Sequence, residues 1–323
     1  MLKSIFLLTG ASILLTSCNQ KKNDDVVSTR RIHKFGYDIG EQEWEYNHPP
    51  GHLITTFRNG KTIIETYEDQ LLHGDKTTSF DHSQTVQLRE HYNKGVLVKT
   101  TTYNISGVPE VETLFKSPTH RIVKTWYSSG SPKSTEEFAD IKLVNGQYFS
   151  INNETDSHIT NGTGEKTMSN HFGDILEKQV YVNYEIAYIE TYHQNGTPKV
   201  ITSYKDGKIH GERKVFSPSA DPISIENYAH GVKSGVCSYY QNGYVYQMTT
   251  YVDGRKHGLE KFFIDGETLS EETVYVSGLK HGPSIFYCDG SSRTEWFFND
   301  EKVSRSKFDQ YEERDMMISS LQN

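Results

Sequence analysis

A chain of 323 residues with a formal net charge of −8 lacks the positive potential that general binding to nucleic acid or to anionic lipid surfaces requires. Only 34% of its residues are apolar, too few for two thick layers around a large aliphatic core, whereas aromatics reach 12% and must supply much of the packing.

At the N-terminus Lys3 precedes an apolar stretch from Ile5 to Leu15, which Thr16, Ser17 and Cys18 follow. This predicts a secretory signal peptide over residues 1–17, since the apolar core is too short to span a bilayer as a helix. Leu15-Thr16-Ser17-Cys18 resembles the lipobox of bacterial lipoproteins, which implies cleavage before Cys18 and its acylation by chains such as palmitate; the alternative is an accidental cysteine in a plain signal peptide. Each buried acyl methylene adds ~0.8 kcal/mol, so an acylated Cys18 would hold a polar body on a membrane. Cleavage removes Lys3 and moves the net charge from −8 to −9. Residues 18–43 are expected to form a flexible tether, because Asn19 to Asp25 contains no apolar residue. Lys21-Lys22 followed by Asp24-Asp25 resembles the export signal of surface lipoproteins in Bacteroidota, with a plain spacer as the alternative. Both readings place the chain as an outer-membrane lipoprotein, facing either the periplasm or the cell surface.

From residue 44 aromatic residues recur about every 12 positions: Tyr46, Phe57, Tyr67, Phe80, Tyr92, Tyr103, Phe115, Tyr127, Phe138 and Phe149. The pattern blurs between Ile151 and Val180, where Asn152-Asn153 and Asn161-Gly162-Thr163-Gly164 suggest a loop or irregular hairpins. Tyr181 and Tyr192 restore it, and Tyr204, Phe216, Tyr228, Tyr240, Tyr251, Phe263, Tyr275, Tyr287 and Phe298 continue it. A fixed period of this kind means that one small unit is copied and stacked. The clearest copies carry a slot aromatic and two glycines: Tyr204, Gly207 and Gly211; Tyr228, Gly231 and Gly235; Tyr251, Gly254 and Gly258; Tyr275, Gly278 and Gly282. Asn-Gly and Asp-Gly pairs between runs of Val, Ile, Thr and Tyr are the strongest short hairpin signal, while no stretch from Trp44 to Phe298 sustains a helical period.

The predicted fold is therefore all-β: an elongated antiparallel array of β-hairpins with two strands per unit and the aromatics, one per strand, stacked in a continuous stripe. Divergent repeats are expected over 44–183 and well-formed ones over 184–303. Trp44 and Tyr46 begin the N-terminal edge, and the apolar spacing from Phe308 to Ile318 predicts a helical cap within 304–323.

Catalytic patterns are missing: there is no Gly-x-Ser-x-Gly, phosphate-binding loop, His-Glu-x-x-His or Cys-x-x-Cys. The recurrent His73, His210, His257 and His281 lie about 10 Å apart in successive hairpins, too far for a shared zinc, and read as turn-packing residues. Glu136-Glu137 and Glu271-Glu272 should point to opposite faces as solvated charges. An enzyme site would need the irregular segment 151–180. Cys237 and Cys288 either pair or stand as independent buried thiols. Tyr184, Tyr188, Tyr239, Tyr244 and Tyr246 lie outside the periodic slots and form the candidate contact surface, or else pack a second face.

The Tyr-x-x-Gly-x-x-x-Gly copies, followed by an aromatic and an Asn-Gly turn, resemble the MORN-repeat variant family over roughly residues 46–298. The resemblance implies a meander of β-hairpins and, from the antitoxin-like labels of bacterial members, partner binding. The expected function is a non-catalytic, membrane-anchored scaffold for a protein partner, with no cofactor, metal or nucleic acid. The alternatives are a carbohydrate-binding surface lipoprotein, with the extra tyrosines stacking on sugars, and a neutraliser of a partner toxin.

Overall fold

The computed structural model describes residues 26–47 and 49–321. The expected signal peptide, Cys18 and the expected tether up to Asp25 lie outside the described residues. The described chain is 64% strand and 8% helix, an antiparallel meander with a C-terminal helix, as the hairpin signals require.

Two compact units divide at Gly107 and Val108. The first contains β1 (Val26–His33), α1 (Glu41–Asn47), β2 (Gly51–Phe57), β3 (Thr62–Glu68), β4 (Leu71–Leu72), β5 (Gly74–Ser79), β6 (Val86–Asn93) and β7 (Val96–Tyr103). Two expectations are corrected here. Residues 26–33 belong to the sheet rather than to a tether, with Arg31 opposite Leu53 and Ile32 opposite His52. Charge had masked this strand: Arg30 pairs with Asp38 at its solvent side, while Val26, Val27, Thr29 and Ile32 supply strand-forming side chains. Trp44 and Tyr46 lie in α1 and not in a strand. Glu41 and Glu43 suit its positive N-terminal end, and Pro49-Pro50 prevents its continuation. Trp44 is buried edge-on against Tyr67 at 5.8 Å, whereas Tyr46 is 88% exposed.

The second unit runs through β8 (Pro109–Ser117), β9 (His120–Trp126), β10 (Pro132–Ala139), β11 (Lys142–Phe149), β12 (Thr155–Thr160), β13 (Thr163–Ser169), β14 (Ile175–Val182) and β15 (Glu185–Tyr192). It continues as β16 (Pro198–Lys205), β17 (Lys208–Phe216), β18 (Pro222–Ala229), β19 (Val232–Lys233), β20 (Gly235–Gln241), β21 (Tyr244–Val252) and β22 (Arg255–Phe263). The last elements are β23 (Leu269–Val276), β24 (Leu279–Cys288), β25 (Ser291–Phe298), β26 (Glu301–Val303) and α2 (Arg305–Leu321). Segment 151–180 forms hairpins rather than a loop: Asn161 and Gly162, both at positive φ, close the short β12–β13 hairpin, and β13 pairs with β14 through a bulge. The change of repeat quality at 183/184 leaves no mark on pairing, since β14 and β15 form an ordinary hairpin across it.

Tight turns organise each copy. Asp206-Gly207, Asp253-Gly254 and Ser277-Gly278 have positive φ at both central residues, the geometry that matches the right-handed twist of a hairpin. The second glycine does something else. Thr202 faces Arg213 and Tyr204 faces Ile209, so His210-Gly211-Glu212 bulges opposite Ser203 alone. The same bulge recurs at 257–259 opposite Thr250 and at 281–283 opposite Val274. Gly211 then stands directly across from Tyr228 and Gly258 from Tyr275, the Tyr slot of the following copy, while Gly282 faces Phe297, one residue before the slot Phe298.

The single aromatic stripe is also corrected. Tyr275 shares a face with its register partners Gly258 and, two residues along, Glu260 and Thr273, whereas Phe263 follows Phe262 of that face by one residue and points the other way. The slots thus alternate: Tyr204, Tyr228, Tyr251 and Tyr275 on one face, Phe216, Tyr240, Phe263 and Tyr287 on the other. Rings on one face are two strands, about 10 Å, apart. Among the described residues no two slot aromatics are in ring contact.

Between those rings the first face is packed with small polar groups. Thr202, Ser224, Thr249, Thr273 and Ser284 are buried together with Cys237. Among them Thr273 Oγ1 and Ser284 Oγ are hydrogen-bonded at 2.9 Å. A conventional apolar cluster is found at Leu143, Tyr148 and Ile159, flanked by Phe138 and Tyr181. The cap forms as expected. Ser304 accepts the Lys307 N–H at the start of α2, and Phe308 and Tyr311 pack on Trp296 and Phe298 with ring centroids 5.1 and 4.9 Å apart.

Candidate functional site

The repeated histidines hold turns. His73, His210 and His257 accept, through Nδ1, the backbone N–H of Lys94, His230 and Ser277 at 3.3, 3.4 and 3.4 Å. Each donor is the first central residue of the next hairpin turn. The glycine after it donates its N–H to the residue before that histidine, Gly95 to Leu72, Gly231 to Ile209 and Gly278 to Lys256, so successive tips are stitched together. His281 instead meets the cap, with Nε2 2.7 Å from a Glu312 carboxylate oxygen and Nδ1 3.0 Å from Asn299 Oδ1. Among the described residues no three His, Cys, Asp or Glu side chains are grouped so as to hold a metal ion.

A second set of repeated residues escaped the sequence reading. Lys233, Lys256 and Lys280 each precede a bulge glycine by two positions, and their ammonium groups lie 5.4, 4.8 and 5.2 Å from the rings of Tyr251, Tyr275 and Phe297. Those rings face the same glycines across the strand pair. The cation over the ring replaces the expected ring-on-ring stacking. Its signal was present as Lys-Ser-Gly, Lys-His-Gly and Lys-His-Gly. Buried carboxylates complete the arrangement: Glu226 accepts from Lys233 and Arg213 at 2.7 and 3.0 Å, and Glu260 from Lys256 at 2.6 Å and Thr249 at 3.0 Å. Burial by itself would raise both carboxyl pKa values, but the hydrogen-bonded cations outweigh it and hold both below the usual carboxylate range.

The adjacent glutamates do face opposite sides, yet they are not free solvated charges. Glu136 is buried, accepting from the Tyr148 hydroxyl at 2.8 Å and pairing with Lys166 at 2.7 Å. Glu137, on the other face, binds Asn145 Nδ2 at 2.8 Å and His120 Nε2 at 2.7 Å, and these hydrogen bonds lower its pKa. Glu272 pairs with Lys261 at 3.2 Å, while Glu271 accepts from Thr273 at 3.2 Å. Glu136, Glu137 and Glu272 thus each meet a basic side chain from another strand. Cys237 and Cys288 are both free thiols, the first buried and the second exposed.

The five out-of-slot tyrosines are not brought together. Tyr184 and Tyr188 belong to the β14–β15 hairpin, and Tyr239, Tyr244 and Tyr246 to β20–β21, about 19 Å away by strand spacing. Tyr239 is tied inward, its hydroxyl accepting from Lys233 at 2.9 Å. Tyr184 lies beneath Lys142 at 5.6 Å, and Tyr246 is the extra residue of a β-bulge. Tyr244 is the most open of them, at 63% exposure.

A concavity opens elsewhere, on the face of β9–β12 that carries Glu137. Its volume is about 490 Å³, and Ile122, Thr135, Glu137, Asn145, Gln147 and His158 contribute to its lining. Strand register explains the grouping. Ile122, Glu137 and Asn145 are successive cross-strand partners, as are Thr135, Gln147 and His158. Thr155, His158 and Thr160, within segment 151–180, supply one wall.

No protein-family model matches the chain, and no curated protein matches it.

Proposed function

We propose that this chain is a lipid-anchored, non-catalytic β-repeat scaffold of the bacterial envelope, of the MORN-repeat variant type, that presents its hairpin array to a protein partner. The observation that carries this reading is the employment of the repeated residues. The histidines close turns, the lysines cover rings, and the buried glutamates and threonines bond one another, so the signature is spent on building the array. The Leu15-Thr16-Ser17-Cys18 motif supports the anchor. From Cys18 to Val26, where β1 begins, eight residues reach at most about 28 Å, which would keep the array close to the bilayer. Among the described residues no helix is long and apolar enough to cross a membrane.

Fractionation of cells making the full chain tests the anchor. The wild type is expected to label with palmitate and to sediment with membranes, and Cys18→Ala to lose the label and enter the soluble fraction. Continued sedimentation of Cys18→Ala would overturn the reading.

A further inference from the structure

The groove on β9–β12 has a chemistry that the array does not use. Its charged group is already neutralised: the Glu137 oxygens are taken by His120, Asn145 and, at 3.5 Å, Lys116. Asn145 Oδ1 in turn accepts the Asn161 N–H at 3.2 Å. A charged ligand would therefore find no open counter-charge on these two residues. A peptide strand has no edge to join, because β9, β10, β11 and β12 are each paired on both sides. The other polar side chains of the lining include no carboxylate, ammonium or guanidinium group. Thr135, Gln147, His158 and Thr160 line the groove, and their side chains make no hydrogen bond among the described residues. An amide, an imidazole and two hydroxyls each both donate and accept, which matches a ligand whose own groups do the same. Sugar hydroxyls have that property. The volume of about 490 Å³ lies within the roughly 300–1,000 Å³ of small-molecule sites.

We propose that this groove binds a neutral carbohydrate, with Gln147 and His158 as the principal hydrogen-bonding residues, Thr135 and Thr160 beside them, and Ile122 as the apolar wall. Glu137 is a positioning residue that fixes Asn145 and the groove floor. The proposal does not depend on the scaffold reading: it concerns a different face and a different ligand class, and the anchor experiment neither supports nor opposes it.

The test is saturation-transfer NMR and calorimetric titration of the mature full-length protein with cellobiose, maltose, lactose and N,N′-diacetylchitobiose. At least one is expected to bind saturably. Gln147→Ala and His158→Ala should each weaken that binding by about tenfold, the worth of a hydrogen bond to the ligand, and Tyr244→Ala should leave it unchanged. Gln147 and His158 are both exposed, so the variants are expected to keep the wild-type circular dichroism. Failure of all four sugars to bind, or binding indifferent to both groove substitutions, would overturn the proposal. Loss in Tyr244→Ala alone would transfer the sugar to the tyrosine surface and overturn it equally.

Discussion

Tyr148→Ala is expected to destabilise the second unit by about 3–5 kcal/mol, the usual cost of removing a buried aromatic ring. Tyr148 is 2% exposed and packs in a cluster of buried apolar side chains with Leu143 and Ile159. Truncation opens a cavity there. It also removes the hydroxyl that donates to Glu136, leaving that buried carboxylate with Lys166 alone. Tyr148→Phe separates the two effects: the ring stays, only the hydrogen bond is lost, and the expected cost falls to about 1–2 kcal/mol. Urea unfolding gives the totals. Hydrogen exchange gives their location, because in a stacked array each element contacts only its neighbours. Protection should fall in β10–β14 and persist in β22–β25; a uniform loss across the unit would mean that the array folds as one cooperative block.

Gly282→Val is expected to cost about 2–4 kcal/mol, from two sources that act together. The backbone there has φ +115, a conformation closed to β-branched residues, and a Cβ would come within 3.3 Å of the Val274 side chain. Gly207→Ala provides the comparison. Its φ is +70, but a Cβ would meet nothing within 4 Å, so only the conformational cost of about 1 kcal/mol remains. Thermal melts of the two variants should therefore rank Gly282→Val well below Gly207→Ala. Equal melting temperatures would show that the bulge at 281–283 is not held as described.

The hairpins were legible because their signals are local. Asp206-Gly207 and Asp253-Gly254 state a turn within two residues, and Phe308, Tyr311 and the later apolar positions state a helix within three turns. The facing of the rings was not legible, because it depends on counting. An extra residue such as Ser270, between Phe262/Glu271 and Phe263/Leu269, changes the parity between one slot and the next without altering the apparent step. In segment 151–180 the hairpin alternative holds, since Asn161-Gly162 is the same turn signal as elsewhere; the surrounding asparagines and short strands had kept a loop open. Strand β1 was hidden by Arg30 and Arg31, whose charges are met by Asp38 and Glu41 from the loop and helix that follow. The groove had no signature at all. Thr135, Gln147 and His158 come from three strands, each is ordinary in its own strand, and only register places them side by side.

The lysines show the intermediate case. Lys256 is visible in every reading of Tyr251-Val-Asp-Gly-Arg-Lys-His-Gly, but its partner ring, Tyr275, belongs to the next copy. A pattern confined to one unit assigns it to solvent. The contact exists because the bulge glycine brings the next aromatic directly across from Gly258, two residues beyond the lysine.

From Tyr204 to Tyr287 the repeat builds a ladder whose aromatic slots alternate between faces, with each bulge glycine opposite a ring of the following copy. Cross-strand nuclear Overhauser effects measure this directly in the folded protein. Contacts are expected between the Gly258 and Tyr275 backbones and between Gly282 and Phe297, and none between the rings of Phe263 and Tyr275. Strong ring-to-ring contacts along Tyr251, Phe263, Tyr275 and Tyr287, with Gly258 silent toward Tyr275, would contradict it.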